Sequence, residues 1–294
     1  YTDGYGTDEA VTSAPTSPVA NINDPPTGTV TITGAAVEGE TLTANNDLAD
    51  EDGLGTITYH WSRDGVPIPG ATGSTYTVTA DDRGASITVT ASYTDGQGTD
   101  ESVTSTTTSF ISTWETTADG DTITLPLRSG YAYDFIVNWG DGSAPAEVTS
   151  FDDLDITHAY ATAGEHTITI NGLMETVYFN NIAPARGQLR SIPNLGHVGW
   201  TSFESAFRGC DSLTTVVGGD TSQVTTMKSM FSGATVATPD TSGWDTSSVT
   251  NLSLMFDRAL AANPDTSGWD TAGVTNMSSM FYCFQASCVA NPDT

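Results

Sequence analysis

The chain has 294 residues, room for two or three domains, and carries 36 acidic against 8 basic residues, a formal net charge of −28 at pH 7. This balance argues against nucleic acid or an anionic membrane surface as partner, because phosphate neutralisation needs clustered Lys and Arg and the chain has one lysine, Lys228. Carboxylates among Gly, Thr, Ser and Asn suit calcium, a hard cation with oxygen ligands; a solubilising or salt-adapted surface is the alternative. No stretch approaches the ~20 apolar residues of a membrane span, and no signal peptide is present. Three cysteines fit an extracellular chain that does not depend on a disulfide framework.

In chain order, the first residues, Tyr1-Thr-Asp3-Gly-Tyr-Gly-Thr-Asp8-Glu9, recur as Tyr93-Thr-Asp95-Gly-Gln-Gly-Thr-Asp100-Glu101, an offset of 93 − 1 = 92 residues. Residues 1–20 thus read as the tail of one tandem copy and 21–112 as a whole copy. The chain reads as a segment of a longer protein. Runs at 29–33, 40–44, 57–61, 75–79, 86–93 and 102–106 alternate with period two and are rich in β-branched residues, with Asp-Gly and Pro-Gly turns between them. This pattern predicts an antiparallel β-sandwich with Trp61 in its core. The stretch, with its joining phrase Asn21-Ile-Asn23-Asp24-Pro-Pro, resembles the immunoglobulin-like modules of large repeat-in-toxin (RTX) adhesins and related bacterial surface proteins.

Residues 113–180 predict a second β unit, with strands at 121–127, 133–139, 147–150 and 166–170. Trp139-Gly140-Asp141-Gly142-Ser143, followed by His158-Ala-Tyr160 and Gly164-Glu-His166, resembles a polycystic kidney disease (PKD) domain. Its glycines relieve a tight turn, and Asp141 is expected to bond the turn backbone.

From 181 to 294 the chain repeats. Asp220-Thr-Ser-Gln-Val224-Thr-Thr-Met227-Lys-Ser-Met230-Phe231 returns at Asp245 to Phe256 and at Asp270 to Phe281, a period of 25, after a divergent first copy from Trp200 to Phe207. A fixed period of this size predicts a stacked architecture, which presents one broad repeated surface and suits binding better than catalysis. Val249, Leu252, Met255 and Phe256 fall on one face of a short helix, with Thr250 or the Asp245/Ser247 group as cap. A short strand after Asn263-Pro264 completes a strand-plus-helix unit. The phrases resemble BspA-type leucine-rich repeats of bacterial surface proteins. That resemblance implies an α/β leucine-rich-repeat solenoid and a role in cell-surface adhesion or interaction rather than catalysis.

Stacking places Asp220, Asp245 and Asp270 in one column and Asp240, Asp265 and Asp293 in another, about 4.8 Å apart where strands pair. Like charges so close repel, so each column needs either calcium or backbone N–H donors. Thr241, Trp244, Thr266 and Trp269 beside them are the candidate ligand contacts if the tryptophans face outward; inward, they are core. A second calcium group is expected at the module boundary, from Asp3, Asp8, Glu9, Asn21, Asn23 and Asp24 together with Asp50, Asp52, Asp95, Asp100 and Glu101. There the Asn21–Pro26 phrase resembles calcium-binding linkers of cadherin-like modules. Cys283 and Cys288 flank a three-residue insertion and are expected to pair, with Cys210 a buried free thiol.

The four histidines show no metal-ligand spacing, and neither a nucleophile elbow nor a phosphate-binding loop is present. The expectation is therefore a non-enzymatic, mainly β, multidomain segment of a secreted bacterial adhesin, calcium-stabilised, that binds a cell-surface protein, a glycan or another copy of itself. A purely structural extender and a carbohydrate-binding accessory module of a polysaccharide-degrading enzyme are the alternatives.

Overall fold

The computed structural model describes residues 2, 4–6, 10–17 and 22–283. The chain is mainly β with almost no helix, and its strands form several antiparallel sheets. In the first module, β1 (Val30–Thr33), β2 (Thr41–Asn46) and β5 (Thr75–Thr77) make a three-stranded sheet. A four-stranded sheet is ordered β4 (Val66–Pro67), β3 (Thr58–Arg63), β6 (Ile87–Thr94) and β7 (Asp100–Thr104). Alternation along β6 buries Ile87, Val89, Ala91 and Tyr93, the inward face of a period-two strand. Trp61, fully buried on β3, stacks on Tyr76 of β5 with centroids 5.7 Å apart and joins the two sheets. Its indole donates to the Gly73 carbonyl at 2.9 Å, which satisfies the polar end of the ring.

The second unit holds β8 (Phe110–Thr116), β9 (Thr122–Thr124), β10 (Tyr133–Asn138), β11 (Ala146–Val148), β12 (Thr157–Ala159) and β13 (Gly164–Met174). After a four-residue helix, α1 (Ala185–Gln188), comes β14 (Leu189–Asn194). The larger sheet is ordered β11-β10-β13-β8-β14, and β9 pairs with β12. Residues 110–112, expected to close the first module, lie instead in the central part of this sheet. The Trp139-Gly140-Asp141-Gly142 turn is built as expected. Asp141 accepts the Ser143 N–H at 3.0 Å, and a Cβ on Gly140 (φ 79°) would stand 2.2 Å from the Thr167 carbonyl oxygen.

The repeats grow from the edge of that sheet, as Ile192 of β14 forms a parallel bridge with Val216. Further parallel bridges join Thr226 to Asn251 and Asn251 to Asn276. The helix expected over 249–256 does not form, and each coil is instead a run of tight turns. The Met230 N–H donates to Met227 C=O (3.1 Å) and the Met255 N–H to Leu252 C=O (3.2 Å), three residues apart. The intervening donors reach the following coil: Met227 to Asn251, Ser229 to Ser253 and Phe231 to Met255, at 2.8–3.0 Å. A helix would take those donors for itself. The residue that breaks the helical path sits at one position in every coil: Ser205, Ser229, Leu254 and Ser279 all have φ between 54° and 58°. The apolar residues that suggested a helix do face inward. Phe207, Phe231, Phe256 and Phe281 stack with centroids 5.6, 5.6 and 5.4 Å apart, and Phe179 and Trp114 continue the ladder into the second unit. One hydrophobic core therefore runs through the second unit and the coils, and the first module has its own.

The modules are also in contact. Ala36 donates to His197 C=O (2.6 Å), Gly34 to Asp220 Oδ2 (2.8 Å) and Asn171 Nδ2 to Gly84 C=O (3.1 Å). Arg83 bridges Asp134 (2.6 Å) and Glu147 (2.5 Å). The first module thus packs against both the second unit and the coils.

Candidate functional site

The Asp-Thr-Ser phrase explains both aspartate columns locally. Each Asp accepts the N–H two residues on: Asp220 from Ser222 (3.0 Å), Asp240 from Ser242 (3.1 Å), Asp245 from Ser247 (2.9 Å), Asp265 from Ser267 (2.9 Å) and Asp270 from Ala272 (2.9 Å). These turns supply the backbone donors that a column of carboxylates requires. Hydrogen bonds from the Ser267 hydroxyl and N–H hold the Asp265 carboxyl below the ordinary range. The following threonine ties one coil to the next: Thr221, Thr241 and Thr246 donate Oγ1–H to the carbonyls of Asp245, Asp265 and Asp270 at 2.9, 2.7 and 3.0 Å.

That role corrects part of the expected contact set. Thr241 is 1% exposed and Trp244 4% exposed, so neither offers its side chain to an external partner. Trp244 lies 6.5 Å from Phe203 and 6.3 Å from Phe231, inside the apolar core. Trp269 and Thr266 are half-buried, and the Trp269 indole donates to Thr241 C=O at 3.4 Å. The exposed repeated residues include most of the aspartates themselves and the threonines after the core valine. Thr225, Thr250 and Thr275 form a column in which each Oγ1–H donates to the carbonyl of Thr201, Thr225 and Thr250 in turn (3.2, 3.1 and 3.1 Å). The Val-Thr phrase at period 25 carried this signal, but nothing in it says which neighbour faces solvent.

At the boundary of the first module, several expected calcium ligands come together through hydrogen bonds of their own. Asn23 donates to Glu101 (2.7 Å), the Asp24 N–H to Asp52 (2.9 Å), the Tyr93 hydroxyl to Asp50 (2.6 Å) and Thr94 to Asp100 (2.8 Å). Asp95 Oδ1 accepts the N–H groups of Gln97 and Thr99, while Oδ2 is buried without a partner. The Thr99 and Gln97 backbone bonds outweigh burial and hold the Asp95 carboxyl low. Among the described residues no group of three or more His, Cys, Asp or Glu side chains is arranged to hold a metal ion. Asp3, Asp8, Glu9, Asn21 and Asp293 lie outside the described residues. Cys283 is disulfide-bonded and Cys288 lies outside the described residues; Cys210 is a buried free thiol whose pKa burial raises.

A cleft of about 480 Å³ lies between β1 and the turns of the coils. Thr29, just before β1, and Thr31, Ile32 and Thr33 of β1 form one wall; Asp220, Asp240 and Asp245 form the other. His197 and Trp244 complete it. His197 is buried, and desolvation lowers its pKa against the pull of Asp220 and a hydrogen bond with the Gly34 backbone.

The family described as "Mycoplasma protein of unknown function, DUF285" matches residues 201–289, which contain the coils. A protein of Escherichia phage T5 described as a decoration protein is 34% identical over 96 residues, 31% of this chain and 54% of that protein. The chain therefore spans about half the length of this curated relative. No solved structure matches the chain.

Proposed function

We propose that the chain is a segment of a bacterial cell-surface adhesin, in which an immunoglobulin-like module and a PKD-like unit hold a BspA-type leucine-rich stack as the interaction surface. The observation that carries this reading is the column Thr225, Thr250 and Thr275, the same side chain exposed coil after coil on a hydrogen-bonded scaffold. The partial likeness to a protein named for decoration supports display on a surface. A net charge of −28 supports a protein, neutral glycan or like copy as partner rather than a polyanion.

Beads coated with the full chain test this. They are expected to attach to cells or to one another, and to lose attachment when Thr225, Thr250 and Thr275 are all replaced by lysine. Sedimentation velocity in millimolar calcium and in chelator then assigns the partner: a calcium-dependent dimer means self-association, and a monomer in both sends the search to foreign surfaces. The second reading, a purely structural extender, is favoured by the burial of Thr241 and Trp244. It requires that the coated beads attach to nothing.

A further inference from the structure

A buried histidine lies where the first module meets the coils. The chain crosses from one body to the other through residues 105–109, whose backbone still pairs with β6: Ser105 N–H donates to Val89 C=O (2.9 Å) and Thr108 N–H to Ile87 C=O (3.0 Å). His197 stands against this crossing. Its N–H donates to Thr108 C=O at 2.7 Å, and its carbonyl accepts the Ala36 N–H at 2.6 Å, from the loop after β1. The ring, in a residue 5% exposed, bonds the Gly34 backbone through one nitrogen, and Nδ1 is buried without a partner. Gly34 in turn donates its N–H to Asp220 Oδ2 (2.8 Å). The loop at 34–36 is thus held by His197 and Asp220 together.

This arrangement suits a neutral imidazole and not a cation. A second proton would go on Nδ1 and create a buried N–H with no acceptor, besides a buried charge. Asp220 is the charged group that pulls on the ring, and both its oxygens are engaged, Oδ1 by Ser222 N–H and Oδ2 by Gly34 N–H. Asp240 and Asp245 follow along the coil turns, and Glu40 of the first module borders the same groove as Asp220. The crossing segment and the loop at 34–36 bring backbone, hydroxyl and apolar groups only. Burial outweighs the pull of Asp220 and the Gly34 bond, so the docked ring holds its proton less tightly than a free imidazole. Water reaches the ring most readily by opening the junction, whose other hydrogen bonds are few and whose Arg83 bridges are partly exposed, whereas each core is closed. We propose that His197 is an acid-release catch: its protonation frees the first module from the coils, with both hydrophobic cores intact and residues 105–109 as the pivot. Docking is complete above the ordinary imidazole value of 6.5 and is lost as pH falls below it, by up to about tenfold in the docked-to-free ratio per pH unit. Release of this kind is independent of any partner of the coils.

The test uses the full chain with spin labels at Val66→Cys and Leu154→Cys, two exposed sites on different bodies. Their distance distribution is followed by electron–electron double resonance from about pH 7.5 to about pH 5. The distribution is expected to be narrow at the upper end and to broaden below about pH 6.5, with the near-UV circular dichroism of the buried tryptophans unchanged. His197→Gln, which offers the Gly34 backbone an amide and takes up no proton, is expected to stay narrow down to about pH 5, above the general carboxylate range. A distribution that does not change in the parent, a change that His197→Gln shares, or a tryptophan signal lost in the same step each overturns the catch. If His197→Gln is already broad at the upper end, the ring ¹⁵N shifts of His197 in the parent decide. Protonation within the broadening step upholds the catch, and a ring that stays neutral through it overturns it.

Discussion

Asp82 shows how one buried carboxylate organises the first module. It accepts from Arg63 Nε (2.7 Å), the Tyr76 hydroxyl (2.7 Å), the Thr79 N–H (2.7 Å) and the Thr79 hydroxyl (2.9 Å), and its side chain is 1% exposed. Burial alone raises its pKa, but the bonds from Arg63, Tyr76 and Thr79 together outweigh burial, and the carboxyl titrates below its ordinary 3.8. Because the folded value is the lower one, the stabilisation is present above 3.8 and is lost as pH falls through the folded value. Asp82→Ala is expected to cost about 2–3 kcal/mol, less than the ~3–5 of a fully buried pair, since the Arg63 side chain is 29% exposed and rehydrates. Urea unfolding at neutral pH, followed by Trp61 fluorescence, checks the cost. Repeated under acid conditions, it should show the variant and the parent converging as Asp82 protonates; parallel curves would mean that the carboxylate is not the titrating group.

At the scale of elements, the coils show where sequence reasoning succeeds and where it stops. Periodicity identified the inward residues: Val249, Leu252, Met255 and Phe256 are all buried. It assigned the wrong backbone, because an i, i+3, i+6, i+7 pattern also arises from successive three-residue turns. The deciding feature, a left-handed residue in each coil, is invisible in the letters, since it is Ser at 205, 229 and 279 but Leu at 254. Most strands of both β units were legible from alternation and turns, but the short β4 and β12 were not, and β8 was missed as the strand between β13 and β14, because pairing between distant strands leaves no local trace. The same limit applies to the cleft, whose two walls are far apart in sequence. Ser229, at φ 55°, offers a direct test of the turn geometry. Ser229→Gly should be neutral or stabilising by up to about 1 kcal/mol, since glycine adopts this conformation freely. Ser229→Val should destabilise by at least ~1–3 kcal/mol, because a β-branched residue strains there. Equal melting temperatures for the two variants would contradict a left-handed residue at this position.

For the whole molecule, the two hydrophobic cores predict how it comes apart. The core of the first module includes Trp61, Leu42 and Val89 and shares no residue with the other, which extends without a break from Trp114 through the phenylalanine ladder to Phe281. The hydrogen bonds across the junction are few, from the Ala36 and Gly34 N–H groups and Asn171, and the Arg83 bridges run between partly exposed partners, the kind of ion pair worth only about 0–1 kcal/mol. Coupling that weak should not fuse two cores into one cooperative unit. The full chain is therefore expected to unfold in two transitions, the second unit melting together with the coils it caps. Phe231→Ala removes a rung from the ladder and should cost about 3–5 kcal/mol. It should lower only the transition of the continuous core, while Trp61→Ala lowers only the other. Scanning calorimetry of the two variants distinguishes these outcomes. A single transition displaced by both substitutions would mean that the junction at His197 and Asp220 couples the bodies far more strongly than its polar contacts imply.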